Sequence, residues 1–155
     1  MTLEDPKLLF RFMRETDIKE VCALERRSFS FDNAFRKRPL RSWLEAPKTL
    51  AAVCYDGSRL LGHVIGYRER SSLCLLSLAV DYDYRRIRVG STLLYWLAKN
   101  SAKKLKRMIC MVPDDNLGAH LFLKAVGFKA LEVVPDYFSF KEGCFDGYKF
   151  EYDLR

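Results

Sequence analysis

The chain has 155 residues, 49% of them hydrophobic and 14% aromatic, which is enough to bury one substantial core. No apolar run approaches the ~20 residues that cross a bilayer, and Glu4 and Asp5 stand where a secretory signal would carry basic and apolar blocks. One cytoplasmic domain over residues 1–155, with no membrane partner, is expected. The formal charge of +7 is concentrated between Asp83 and Asp114, where Arg85, Arg86, Arg88, Lys99, Lys103, Lys104, Lys106 and Arg107 meet no acidic residue. That excess points to an anionic partner, either a phosphate-bearing small molecule or nucleic acid.

Residues 8–14, LLFRFMR, alternate as a strand does, and Asp17-Ile18-Lys19-Glu20 has the spacing of a capping box that opens a helix through Arg27. From Ser28 to Trp43 the pattern supports a loop and one short helix at Leu40 to Leu44. Three strand-like runs follow, Thr49 to Tyr55, Leu60 to Tyr67 and Leu73 to Val80, the first two joined by an Asp56-Gly57 hairpin signal. Val89, Leu93, Trp96, Leu97 and Leu105 recur at helical spacing, so a helix over 89–105 is expected.

Met108 to Val112 reads as a strand ended by Pro113. Asn116 reads as the cap of a helix that stops at Gly127 and Phe128. Two strands, Ala130 to Val134 and Tyr148 to Leu154, close the chain, leaving Pro135 to Asp146 without a clear period. The order of elements defines a mixed α/β domain.

The residue types exclude some chemistries. Five cysteines, Cys22, Cys54, Cys74, Cys110 and Cys144, never fall in a CxxC pair, and no cluster has metal-ligand spacing, so neither a disulfide framework nor a metal is expected. The cysteines in strand-like runs read as small core residues. His63 reads as a sheet residue and His120 as a surface residue of its helix.

The turn in DYDYRRIRVGSTLL carries the chemistry. A strand feeding a helix presents unpaired N–H groups and the positive end of the helix dipole, which is an anion site. Gly90 removes a side chain where a phosphate must come close, Ser91 and Thr92 add hydroxyl donors, and Arg85, Arg86 and Arg88 supply charge.

The run LAVDYDYRRIRVGSTLL resembles the acyl-CoA binding signature of the GNAT superfamily of N-acetyltransferases, with Arg85, Val89 and Gly90 in register. DDNLGAHLFLKAVGF resembles that superfamily's second motif at Asn116, Ala119, Phe122, Gly127 and Phe128. The length and the closing pattern, VVPDYF followed by DGYKFEYDL, look most like the ribosomal-protein alanine N-acetyltransferase branch. The resemblance implies a mixed, strongly twisted central sheet flanked by helices, with a splayed pair of parallel strands holding acetyl-CoA as cosubstrate. Leu78, Ala79 and Val80 would offer backbone groups to its pantetheine arm. Arg86, Ile87, Arg88, Val89, Gly90 and Ser91, following Arg85, would cradle its pyrophosphate, and Asn116 would contact it near the pantetheine end. The acceptor implied is the N-terminal amine or a lysine of a protein or peptide, attacking the thioester directly.

Three positions depart from the superfamily pattern. Arg88 replaces the first glycine of the signature, and either obstructs the cofactor or turns its guanidinium onto the phosphates. Met111 stands where relatives often carry a glutamate base, and Leu123 where they carry a tyrosine acid; neither side chain moves a proton. Tyr137 in VVPDYF is the residue the resemblance places beside the acceptor, where it either handles a proton or packs its ring in the core. An acyl-CoA-binding protein with little catalysis is the alternative those departures support, whereas nucleic-acid binding lacks an aromatic ladder or a motif.

Overall fold

The computed structural model describes residues 7–29, 37–85, 88–140 and 143–155. Among these residues seven strands form one sheet: β1 (Leu8–Phe12), β2 (Thr49–Asp56), β3 (Arg59–Glu69), β4 (Ser72–Val80), β5 (Arg107–Pro113), β6 (Lys129–Phe140) and β7 (Gly143–Asp153), in spatial order β1-β2-β3-β4-β5-β7-β6. Every neighbouring pair is antiparallel except β4 and β5. Four helices, α1 (Ile18–Ser28), α2 (Lys37–Glu45), α3 (Val89–Asn100) and α4 (Leu117–Val126), cover the faces. The single α/β domain and its mixed sheet are those expected. Among the described residues no helix is long and apolar enough to cross a membrane.

Alternation along the strands sorts the apolar side chains into two cores. Ala52, Cys54, Leu61, Val64, Leu73, Met108, Val112 and Phe150 pack with Val89, Leu93 and Leu97 of α3 and Leu123 of α4. Ala51, Val53, Leu60, Ile65 and Ala79 pack on the opposite face with Val21, Cys22 and Leu24 of α1 and Leu40 of α2. Crossover α3 carries the chain from β4 to the parallel β5.

Several boundaries differ from the sequence expectation. Asp17 does not cap α1 through a capping box with Glu20; its carboxylate turns back to the Arg14 N–H at 2.7 Å and the Arg11 guanidinium at 2.7 and 2.8 Å. Helix α3 stops at Asn100 because Ser101 is extended and Arg68 of β3 donates to the carbonyls of Lys103 and Lys104 at 2.8 and 3.1 Å. Leu105 reaches the core from that non-helical segment. Strands β6 and β7 extend through most of the stretch from Pro135 to Asp146, with a register break between Val134 and Phe138 where Asp136 takes φ +52°. Helix α4 begins at Asn116, whose side chain accepts from the Ala119 N–H at 3.2 Å, and ends at Gly127, where φ is +116°. Both of those signals behave as expected.

Candidate active site

The parallel pairing of β4 with β5 runs from Ser72 and Arg107 only as far as Leu75 and Cys110. Beyond it, β4 stays with β3 to Val80 while β5 stays with β7 to Pro113, so the two strands part. The divergence coincides with a bulge: Ile65 faces Ser77 and Gly66 faces Leu75, which leaves Leu76 as the extra residue, 42% exposed.

Past the bulge the ladder fixes what β4 presents. The Asp81 N–H donates to the Leu61 carbonyl at 2.7 Å, so Gly62 and Val80 form a non-hydrogen-bonded pair. By the alternation of an antiparallel ladder, the backbone N–H and C=O groups of Val80 and Leu78 point away from β3 into the opening, while those of Ala79 face His63. Of the three residues expected to offer backbone groups, Leu78 turns its N–H and C=O, and Val80 its N–H, away from β3, while the Val80 carbonyl accepts from Arg85 Nε. Ala79 offers none: its backbone belongs to the β3 ladder and its side chain to the core against α1.

At the far end of the opening, α3 begins with no side-chain cap, and its first N–H groups lack intrahelical partners by construction. Its N-cap residue, Arg88, is exposed and left-handed, φ +66° and ψ 18°. Ser91 Oγ donates to the Arg88 carbonyl at 3.2 Å. Arg85 folds back, Nε donating to the Val80 carbonyl at 3.0 Å and its guanidinium lying 5.6 Å from the Tyr82 ring centroid. Val89 is buried against the sheet. Gly90 is buried too, and a Cβ there would meet the Phe122 ring at 3.1 Å and Val80 at 3.4 Å. The absent side chain therefore lets α3 approach α4 and β4. Arg86 and Ile87 lie outside the described residues.

Met108 and Val112 face the core beneath α3 and α4, so Met111 between them points to the opposite face of the sheet, the face that carries α1 and α2. There Met111 of β5 and Tyr137 of β6 converge over Gly147 of β7, where a Cβ would meet Met111 Cε and Tyr137 Cβ, both at 2.9 Å. Tyr137 is 52% exposed and its ring meets Phe138 edge-on at 4.9 Å, so the core-packing alternative for it is not what the structure adopts. Tyr67 of β3 stands nearby against Trp43 of α2, ring centroids 5.9 Å apart. Its phenol is pushed up by Cys74, by burial, and by the neighbouring Glu69 and Tyr137.

Other candidates are structural. Burial pushes the thiols of Cys54 and Cys110 up to about 12, with Asp56 adding to the effect at Cys54, so neither ionises near neutrality. Leu123 is in the core. His120 is buried, contrary to the surface position expected: a ring nitrogen lies 3.0 Å from the Pro113 carbonyl, and the ring meets Tyr148 and Phe150 edge-on. His63 is a sheet residue, as expected, but it is paired with a carboxylate the sequence did not single out. Its Nε2 lies 2.7 Å from Glu25 Oε1, and Ser77 Oγ donates to the same oxygen. A cavity of about 460 Å³ lies on the α1 side of the turn, lined by Arg27, Arg59, Asp81 and Asp83 among others. Those charges pair with one another, Arg59 lying 3.3 Å from both aspartates.

A mixed sheet whose one parallel pair splays open beside an uncapped helix N-terminus defines an acyltransferase architecture, and comparison with known proteins agrees. Residues 18–128 match the model of the Acetyltransferase (GNAT) family, so the chain belongs to that family. Among solved structures it is similar to the ribosomal-protein-S18-alanine N-acetyltransferase of Escherichia coli, with TM-score 0.79 and 18% identity over 95% of this chain and 94% of that one. It is also similar to NAA60 of Arabidopsis thaliana in complex with acetyl-CoA, with TM-score 0.80 and 18% identity over 96% and 99%. A third similar structure is yncA of Salmonella typhimurium with its cofactor acetyl-CoA, with TM-score 0.77 and 14% identity over 96% and 95%. Among curated protein sequences none matches.

Proposed function

We propose that the protein transfers an acetyl group from acetyl-CoA to an amine of a protein or peptide, either an N-terminal amine or a lysine, by direct attack on the thioester. The observation that carries this reading is the outward-facing backbone of Leu78 and Val80 along the parted edge of β4, leading to the uncapped start of α3. An extended amide-bearing arm can bond to that edge as a strand would, and the helix start suits the diphosphate that follows it. Arg88 and Ser91 flank that position, with Arg86 and Ile87 in the same turn of sequence. Asn116 is committed to capping α4 through Oδ1, so its contact with the cosubstrate would come from the amide nitrogen. The complexes of yncA and NAA60 with acetyl-CoA support the choice of cosubstrate. The likeness to an S18-alanine acetyltransferase supports a protein acceptor.

An acceptor amine must lose a proton, and with Met111 and Leu123 inert we assign proton handling on the open side to Tyr137 or to water held by it. Incubating the protein with acetyl-CoA and a peptide panel, and following both acetyl mass gain and free thiol, tests the activity. Tyr137→Phe keeps the ring and removes the hydroxyl; turnover at saturating acetyl-CoA should fall about tenfold or more with cosubstrate affinity unchanged. Full turnover in that variant would remove Tyr137 from the chemistry. The same two departures favour a second reading, an acyl-CoA-binding protein with little catalysis. Tight binding without transfer to any acceptor would establish that reading.

A further inference from the structure

Glu25 of α1, His63 of β3 and Ser77 of β4 form a polar trio inside an otherwise apolar core. Glu25 and His63 are fully buried, with Nε2 to Oε1 at 2.7 Å and the Ser77 hydroxyl on that same oxygen. Burying a carboxylate costs several kcal/mol unless hydrogen bonds offset it, and aliphatic residues of similar size would pack this interface without that cost. What distinguishes the trio is its location. Ser77 is half-buried and sits two residues past Leu75, the last β4 residue paired to β5, immediately after the bulge at Leu76. Its side chain lies on the α1 face, the sheet face on which Met111 and Tyr137 also converge. The trio therefore runs from the rim of the opening into the interior.

We infer that Ser77 is a further catalytic residue, linking the acceptor amine to the buried Glu25 and His63, which take up the proton released on transfer. This rests on the acetyltransferase reading above. The amine, freed of its ammonium proton on the open side at Tyr137 or its water, still carries the proton lost on amide formation; as its nitrogen bonds to the thioester carbon, the C–S pair leaves with sulfur. The proton on nitrogen passes to Ser77 Oγ while the Ser77 proton passes to Glu25. The buried pair then goes from one net negative charge to none, and the departing sulfur takes a proton from water at the exposed side where Tyr137 stands. Later loss of the Glu25 proton through Ser77 restores the pair. With Glu25 as carboxylate, His63 donates from Nε2, and its buried Nδ1 has no partner among the described residues. That nitrogen is a second acceptor within the same trio. Other titratable groups on this side of the surrounding elements include Glu20, Cys22 and Arg27 of α1, Tyr55 of β2, Tyr67 of β3, Cys74 of β4, Asp81 at the end of β4, Tyr137 of β6 and Arg41 of α2.

The test compares kcat across pH for the parent, Ser77→Ala, Ser77→Thr and Glu25→Gln. Ser77→Ala should lose about tenfold or more in kcat near neutral pH, with the KM for acetyl-CoA unchanged, and should recover toward the parent as pH rises and solvent replaces the link. Ser77→Thr restores the hydroxyl and should restore the parent profile. Glu25→Gln should follow the Ser77→Ala profile. If it does not fold, as far-ultraviolet circular dichroism would report, the Ser77 pair still decides. A Ser77→Ala profile equal to that of the parent, a loss uniform across pH, or a loss carried in KM would overturn the relay while leaving the acetyltransferase reading intact. Absence of transfer by the parent would overturn both.

Discussion

Arg88 holds a backbone conformation that its side chain disfavours. At φ +66° an L-residue other than glycine, asparagine or aspartate carries a penalty of about 1–2 kcal/mol. The glycine that the GNAT signature places here is thus explained by local geometry as well as by access to a phosphate. Arg88→Ala and Arg88→Gly lose the same guanidinium but differ in this penalty. After allowance for the greater unfolded-state freedom of glycine, the glycine variant should be about 0.5–1 kcal/mol more stable than the alanine variant in denaturant melts. If the guanidinium is recruited to the cosubstrate, both variants should bind acetyl-CoA more weakly than the parent and with shallower salt dependence in calorimetric titrations. Tighter binding by the glycine variant would identify Arg88 as an obstruction.

Secondary-structure elements show where a motif and its physical cause part company. Gly90 belongs to a recognisable signature, yet the atoms nearest its missing side chain are those of Phe122 and Val80. Gly90→Val should therefore disturb the α3 to α4 contact and cost about 1–3 kcal/mol, in place of weakening phosphate binding with the fold untouched. In a double-mutant cycle on urea denaturation, Phe122→Ala should cost less in the Gly90→Val background than in the parent. Strict additivity would show that the two residues do not crowd each other. Likewise α3 had sequence support to Leu105, because leucine at helical spacing continues the apolar stripe. A side chain from another strand, Arg68, binds the Lys103 and Lys104 carbonyls and holds that segment in its non-helical course. The full length of β6 and β7 is not legible in the sequence, because Pro135 and Gly143 interrupt the alternation and the two strands resume pairing, at Phe138 and Phe145, only after a register break.

Across the whole molecule, polar groups within the apolar layers hold elements that are distant in sequence. Asp17 accepts from Arg11 of β1 and from Tyr55 of β2, the latter at 2.8 Å. Burial alone would raise its carboxyl, but the bonds from Arg11, the Arg14 N–H and Tyr55 outweigh it and hold the group below the usual carboxylate range. A folded-state value below the unfolded one means that the stabilisation is complete above the unfolded value of about 4 and is lost as pH falls through the folded value. Asp17→Asn should cost on the order of 2 kcal/mol at neutral pH, and that deficit should shrink as urea melts are repeated below about pH 4. A deficit independent of pH would show that the charge on Asp17 does not matter.

The order of elements, the strand-to-helix turn and the family could be read from sequence, because each rests on local periodicity or on residues within one turn of a motif. Three-dimensional pairing decided the rest. The parting of β4 from β5 depends on which strands each keeps as its other neighbour, and the bulge at Leu76 depends on the register with β3. Glu25 and His63 are 38 residues apart, and Glu25 and Ser77 are 52 apart. No spacing rule links such positions; they meet because α1 lies across β3 and β4, which brings three residues distant in sequence into one hydrogen-bonded group.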